Sequence, residues 1–132
     1  MDIPMQRTPT ENPGRPRPKV VQFDSTPQRY IRLLGGPPDT VTMKAGLVAL
    51  QPDESVGEHT TAENEEAIVV LEGVGELRFQ DDTPLSIEAG SVAYCPPATC
   101  HDVFNTGDSV LRYVYVVARA RDRQDGTRGS SA

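Results

Sequence analysis

The chain has 132 residues, enough for one domain with a single hydrophobic core. Its formal net charge of −6, from 19 acidic against 13 basic side chains, argues against nucleic acid and anionic membranes as partners, since both select a basic patch. No run approaches the ~18 apolar residues a spanning helix needs, and the first residues lack the apolar stretch of a secretory leader, so a cytoplasmic location without membrane insertion is expected.

Residues 1–18 carry Pro4, Pro9, Pro13, Pro16 and Pro18 with few large apolar side chains. Such a segment cannot offset its ordering entropy by burial, so it is expected to be disordered, or an arm that orders only against a partner. From 19 to 118 the pattern is that of β-strands. Short β-branched and apolar runs fall at 19–23, 30–34, 40–50, 56–61, 67–71, 76–80, 85–87, 91–95, 101–104 and 110–117. Turn residues separate them, at 35–39, 51–54, 81–82, 89–90 and 106–108. Residues 72–76 read as a tight reversal joining two strands of one hairpin, with Gly73 and Gly75 free to take positive φ. No segment shows sustained helical periodicity. Close-spaced short strands with such turns predict an all-β fold, an antiparallel barrel or jelly-roll. Residues 119–132 read as a flexible C-terminal tail, in which Asp122 and Asp125 interrupt Arg119, Arg121 and Arg123.

The chemistry concentrates in two segments. The chain has two histidines, His59 and His101, each on a strand-like run. Side chains alternate along a strand, so residues 59 and 61 project to the same side. Glu66 opens the next strand and its carboxylate can return to the same end, although Glu63 and Glu65 compete for that role. Two imidazoles and one carboxylate make a metal site with open positions. The plainer reading is two polar residues lining a metal-free pocket beside a solvated acidic turn. Cys95 reads as small core filling, and Cys100 should face away from its neighbour His101. Both thiols are expected to be free. Asn105 suits a turn or strand end. Tyr113 and Tyr115 share one face of the last strand. Ile68 and Val70 are expected to face inward with Glu66. Ala67, Val69 and Leu71 then need cover from a second sheet, an N-terminal strand or a second subunit.

In order and spacing, His59, Thr61, Glu66 and Gly73, followed by Gly90, Pro96, His101 and Asn105, resemble the two motifs of the cupin superfamily. Three positions depart from them. Asp53 stands at the leading glycine, Thr61 at the middle histidine and Ala98 at the inner glycine of the second motif. The resemblance implies a single-domain double-stranded β-helix over 19–118 and a homodimer. It also implies one divalent transition metal (Fe, Mn, Ni, Zn or Cu) held by His59, Glu66 and His101. A threonine hydroxyl is a poor ligand beside imidazole, so the remaining donors resemble the 2-His-1-carboxylate triad. Thr61, Ile68, Val103 and Tyr113 are the candidate pocket residues. The implied function is a metal-dependent oxygenase, or a lyase or isomerase, acting on a small organic acid or related metabolite. The rivals are a small-ligand-binding module without catalysis and a degenerate barrel with a structural or interaction role.

Overall fold

The computed structural model describes residues 15–25 and 27–121. The expected arm over 1–18 and tail over 119–132 therefore lie largely outside the described residues. Among those described there is no helix, and nine strands run in the order β1 (Tyr30–Gly35), β2 (Lys44–Leu50), β3 (His59–Thr60), β4 (Asn64–Glu72), β5 (Val74–Phe79), β6 (Leu85–Glu88), β7 (Val92–Cys95), β8 (Cys100–Phe104) and β9 (Leu111–Arg119). They form two antiparallel sheets. One has the order β1-β2-β9-β4-β7 and the other β3-β8-β5-β6. The sheets face each other as an open jelly-roll, so the expected barrel is a sandwich whose ladders do not close.

Alternation builds the core. Val48, Ile68, Val70, Leu111 and Tyr113 point inward from the first sheet, and Leu77, Ile87 and Val103 from the second. The opposite face of the first sheet is partly covered. Leu47 is buried there, Ala67 and Val69 are half-buried, and Leu71 stays exposed. Gln22, Phe23 and Asp24 border a shallow pocket together with Ile31 on that face.

Three expectations need correction. Residues 19–23 form no ladder and are exposed, because no strand among the described residues lies beside them to pair with. Lys19 instead bonds the backbone and carboxylate of Asp39. The run at 56–61 is reduced to His59–Thr60, because Gly57 at φ 105° breaks the ladder that the Ser55–Phe104 bridge begins. Residues 72–76 do not close a hairpin. β4 and β5 lie in different sheets, and Gly73 is the corner between them. That corner admits only glycine, since φ is 89° and a Cβ would meet the Val110 carbonyl oxygen at 2.3 Å.

The two missing motif glycines leave a trace in the backbone. Asp53 and Ala98 both adopt positive φ, at 70° and 55°. The fold thus keeps a glycine-like conformation where the sequence has none.

Candidate metal centre

β3 pairs with β8 in a register that sets His59 directly opposite His101. Their ring centroids are 4.3 Å apart at 57°. Glu66 comes from the facing sheet, so the cluster lies between the two layers. The nitrogen and oxygen donors of His59, Glu66 and His101 all lie within 4.8 Å of one another. The structure thus brings together the three residues singled out in the sequence. Their competitors point elsewhere. Glu65 accepts the Tyr94 hydroxyl at 2.7 Å, and Glu63 pairs with Arg119 at 3.0 Å.

Both imidazoles are fixed by backbone carbonyls two residues upstream. His59 Nδ1 lies 2.8 Å from the Gly57 carbonyl, and His101 Nδ1 lies 3.0 Å from the Thr99 carbonyl. A carbonyl only accepts, so each Nδ1 carries the proton and donates it. Nε2 of each ring is then the free donor atom. Such backbone anchoring of the far nitrogen is how metal-ligating histidines are oriented.

His101 Nε2 lies 2.9 Å from Glu66 Oε1, with both side chains buried. With Nδ1 protonated, a neutral His101 would aim a lone pair at a carboxylate oxygen. Two buried acceptors at that distance need a shared cation, either a proton or a metal ion. In the metal-free protein a proton takes the role. Burial works against the imidazolium, but Cys95 beside it and its own bonds to Glu66 and the Thr99 carbonyl outweigh burial and raise the His101 pKa from 6.5 to about 10. The donor set therefore fits a divalent metal. It offers two neutral nitrogens and one carboxylate, already converged and backed by hydrogen bonds.

No spacing in the sequence points to Cys95 as a neighbour of the cluster. The thiol is fully buried, serves the core as expected, and lies close enough to His101 to favour its charged form. The β4–β7 register sets it opposite Glu66, a relationship that no motif spacing encodes. Cys100 turns away, bordering an outer pocket with Phe79 and Tyr94. Asn105 is wholly buried and fully used. Its amide donates to the Leu50 and Ser109 carbonyls, both at 2.9 Å, and its oxygen accepts Gly107 N–H at 2.8 Å.

Thr61 has a role of its own. Its hydroxyl donates to the Pro96 carbonyl at 2.7 Å and accepts Thr99 N–H at 3.0 Å. Its backbone N–H also bonds the Thr99 carbonyl at 3.1 Å, the same oxygen that anchors His101. Where the motif has a third histidine, this chain ties down the loop that aims His101.

A cavity of about 470 Å³ opens beside the cluster. This is a normal size for a small-molecule site. His59, Glu66, Thr61, Val103 and Tyr113 line it, together with Tyr30, Val48, Tyr115 and Val117. Ile68 does not. It shares the inward face but lies fully buried in the core cluster, because Tyr115 of β9 is paired beside it and fronts the cavity instead.

A family model described as "Cupin domain" matches residues 46–117. The sequence matches no curated protein sequence. Among solved structures, an RmlC-like cupin family protein from Methanocaldococcus jannaschii aligns with a TM-score of 0.65 at 18% identity, covering 77% of this chain and 91% of that one. A Cupin 2 conserved barrel domain protein from Salinispora arenicola gives 0.61 at 22% identity, covering 91% and 92%. A protein from Thermotoga maritima described as a predicted oxalate decarboxylase gives 0.58 at 21%, covering 77% and 100%. Of another matched structure this chain spans 64% of the length. At these identities the likeness is one of fold.

Proposed function

The chain belongs to the cupin domain family, and on that premise we propose that it is a small metal-binding cupin in which His59, Glu66 and His101 hold one divalent transition metal. The observation that carries this reading is the 2.9 Å approach of His101 Nε2 to Glu66 Oε1, with the imidazole proton committed to the opposite nitrogen. Two nitrogens and one oxygen suit Fe, Mn, Ni, Zn or Cu and leave positions open. When bound, such a metal would supply Lewis acidity or a position for O2.

The rest of the work falls to this chain's own residues. Val48, Val103 and Val117 hold the apolar body of a ligand and exclude water around the cluster. The reading is a metal-dependent oxygenase, lyase or isomerase acting on a small organic metabolite. The fold likeness to a predicted oxalate decarboxylase supports a small organic acid as one substrate class. We also read the protein as a cytoplasmic homodimer. Support for the dimer comes from the edge strand β7, where Val92 is 69% and Tyr94 55% exposed.

The test is Co(II) titration of the metal-stripped full chain, followed by visible absorption, and then O2 uptake and lyase assays on metal-loaded protein. A saturable absorption band that small acids perturb supports an open metal site, and its absence contradicts one. A second reading, a binding module without catalysis, is favoured by the apolar cavity walls. It predicts a tight ligand with no turnover.

A further inference from the structure

The cavity wall next to the cluster is built from two tyrosines over a glycine. Tyr30 on β1 and Tyr115 on β9 flank Gly46 of β2 on the inward face. Their rings are near-parallel, at 12° with centroids 6.4 Å apart, and their hydroxyls are 3.0 Å apart. A Cβ on Gly46 would lie 2.6 Å from the Tyr115 ring and 2.7 Å from the Tyr30 ring. No side chain fits there, so the glycine is what lets both rings lie down in the wall.

Two hydroxyls carry two protons. One is spent between the tyrosines, which leaves one O–H and a lone pair for a ligand oxygen. No lysine or arginine is among the described residues lining the cavity, while Glu58 and Glu66 both are. The wall therefore offers hydrogen bonding but no counter-charge to an anion. Along β9, Tyr115 is one inward position from Val117, which pairs with Glu66. Two residues of strand advance about 7 Å, roughly the length of a six-membered ring with a substituent at each end.

We propose that the Tyr30–Tyr115 pair, seated by Gly46, selects the far end of the ligand, and that this end is uncharged, ring-like or branched, with one hydrogen-bonding oxygen. The proposal rests on the cavity being the ligand site of the proposed function, and it names the substrate class that site prefers. Dicarboxylates with a second acid at the tyrosine end are rejected.

Three probes share a carboxylate head and differ only at the far end. They are phenylacetate, 4-hydroxyphenylacetate and 4-carboxyphenylacetate. Affinities are measured by calorimetry on the full chain, metal-loaded and metal-stripped, with metal content determined on the same samples. In both forms the hydroxyl compound should bind about fivefold or more tighter than phenylacetate, a normal worth for one hydrogen bond. The dianion should bind at least about tenfold weaker than the hydroxyl compound. Tyr115→Phe should erase the hydroxyl preference while keeping phenylacetate binding. Gly46→Ala should weaken all three. Equal binding of the probes, tighter binding of the dianion, no binding at all, or a preference that survives Tyr115→Phe would overturn the proposal. The metal content reports separately on the metal assignment.

Discussion

His59 and His101 stand directly opposite each other on neighbouring antiparallel strands, with ring centroids 4.3 Å apart. The register of a two-residue strand thus creates the centre. A slip of β3 by one residue would turn the His59 ring to the other face and leave Glu66 with His101 alone, since β8 is held independently by its ladder with β5. What holds the register is less the short β3 ladder than the hydrogen bonds around it. Gly57 and Thr99 carbonyls fix the rings, and Thr61 ties β3 to the loop before β8.

The centre should bind metal in competition with a proton. The His101 pKa is raised to about 10, where burial is outweighed by the nearby Cys95 and by the imidazolium's bonds to Glu66 and the Thr99 carbonyl. Below that pH a metal must displace the proton. Apparent metal affinity should therefore rise about tenfold per pH unit between pH 6 and 9, one proton being released per metal. The metal-free protein should behave oppositely. A group whose folded pKa is raised stabilises fully below its unfolded pKa, near 6.5, and loses that contribution as pH rises through about 10. Competition titrations and urea melts across this range check both signs, and a flat metal affinity would rule out the proton exchange.

Thr61→Val keeps the shape and removes the hydroxyl. Thr99 N–H loses its acceptor and the Pro96 carbonyl its donor. The expected cost is about 1–3 kcal/mol of unfolding free energy, together with weaker metal binding because the loop that aims His101 loosens. Urea melts on the metal-free chain separate the first effect from the second. Unchanged stability would show that the hydroxyl is free rather than committed to the loop.

Ala98→Gly should stabilise. Ala98 sits at φ 55°, a conformation that costs a residue with a Cβ about 1–2 kcal/mol, partly offset by the greater unfolded-state freedom of glycine. A net gain of about 0.5–1 kcal/mol in urea unfolding is expected, with metal binding unchanged.

Asn105→Ala should be among the most damaging single changes outside the centre. It leaves the Leu50 carbonyl without its partner in a buried site, and the Ser109 carbonyl and Gly107 N–H without theirs in half-buried ones. A loss of about 3 kcal/mol is expected, a large part of a small domain's stability. Thermal melts of the variant check it, and a loss under about 1 kcal/mol would contradict the assigned role.

The candidate cluster was legible in the sequence because residue type and spacing single out its members. His59, Glu66 and His101 sit where the family motifs put them, and the structure converges them. The all-β architecture was legible from strand alternation and turn residues. What escaped depends on pairing between distant segments. Cys95 is set opposite Glu66 only through the β4–β7 register, and the Thr61 hydroxyl accepts the Thr99 backbone N–H, 38 residues away in sequence. Gly73 reads locally as a hairpin turn, but the contact that makes it a corner comes from Val110 and Leu111. Ile68 was placed on the correct face, yet alternation alone does not tell a cavity wall from the core beneath it.

Elemental mass spectrometry of the untagged full chain, purified without chelator, tests the central claim most directly. The expected result is about one equivalent of a single divalent transition metal per chain, lost in both His59→Ala and His101→Ala while the β-sheet circular dichroism persists. Less than about a tenth of an equivalent after reconstitution, or full metal retained in both variants, would contradict a metal centre at these residues.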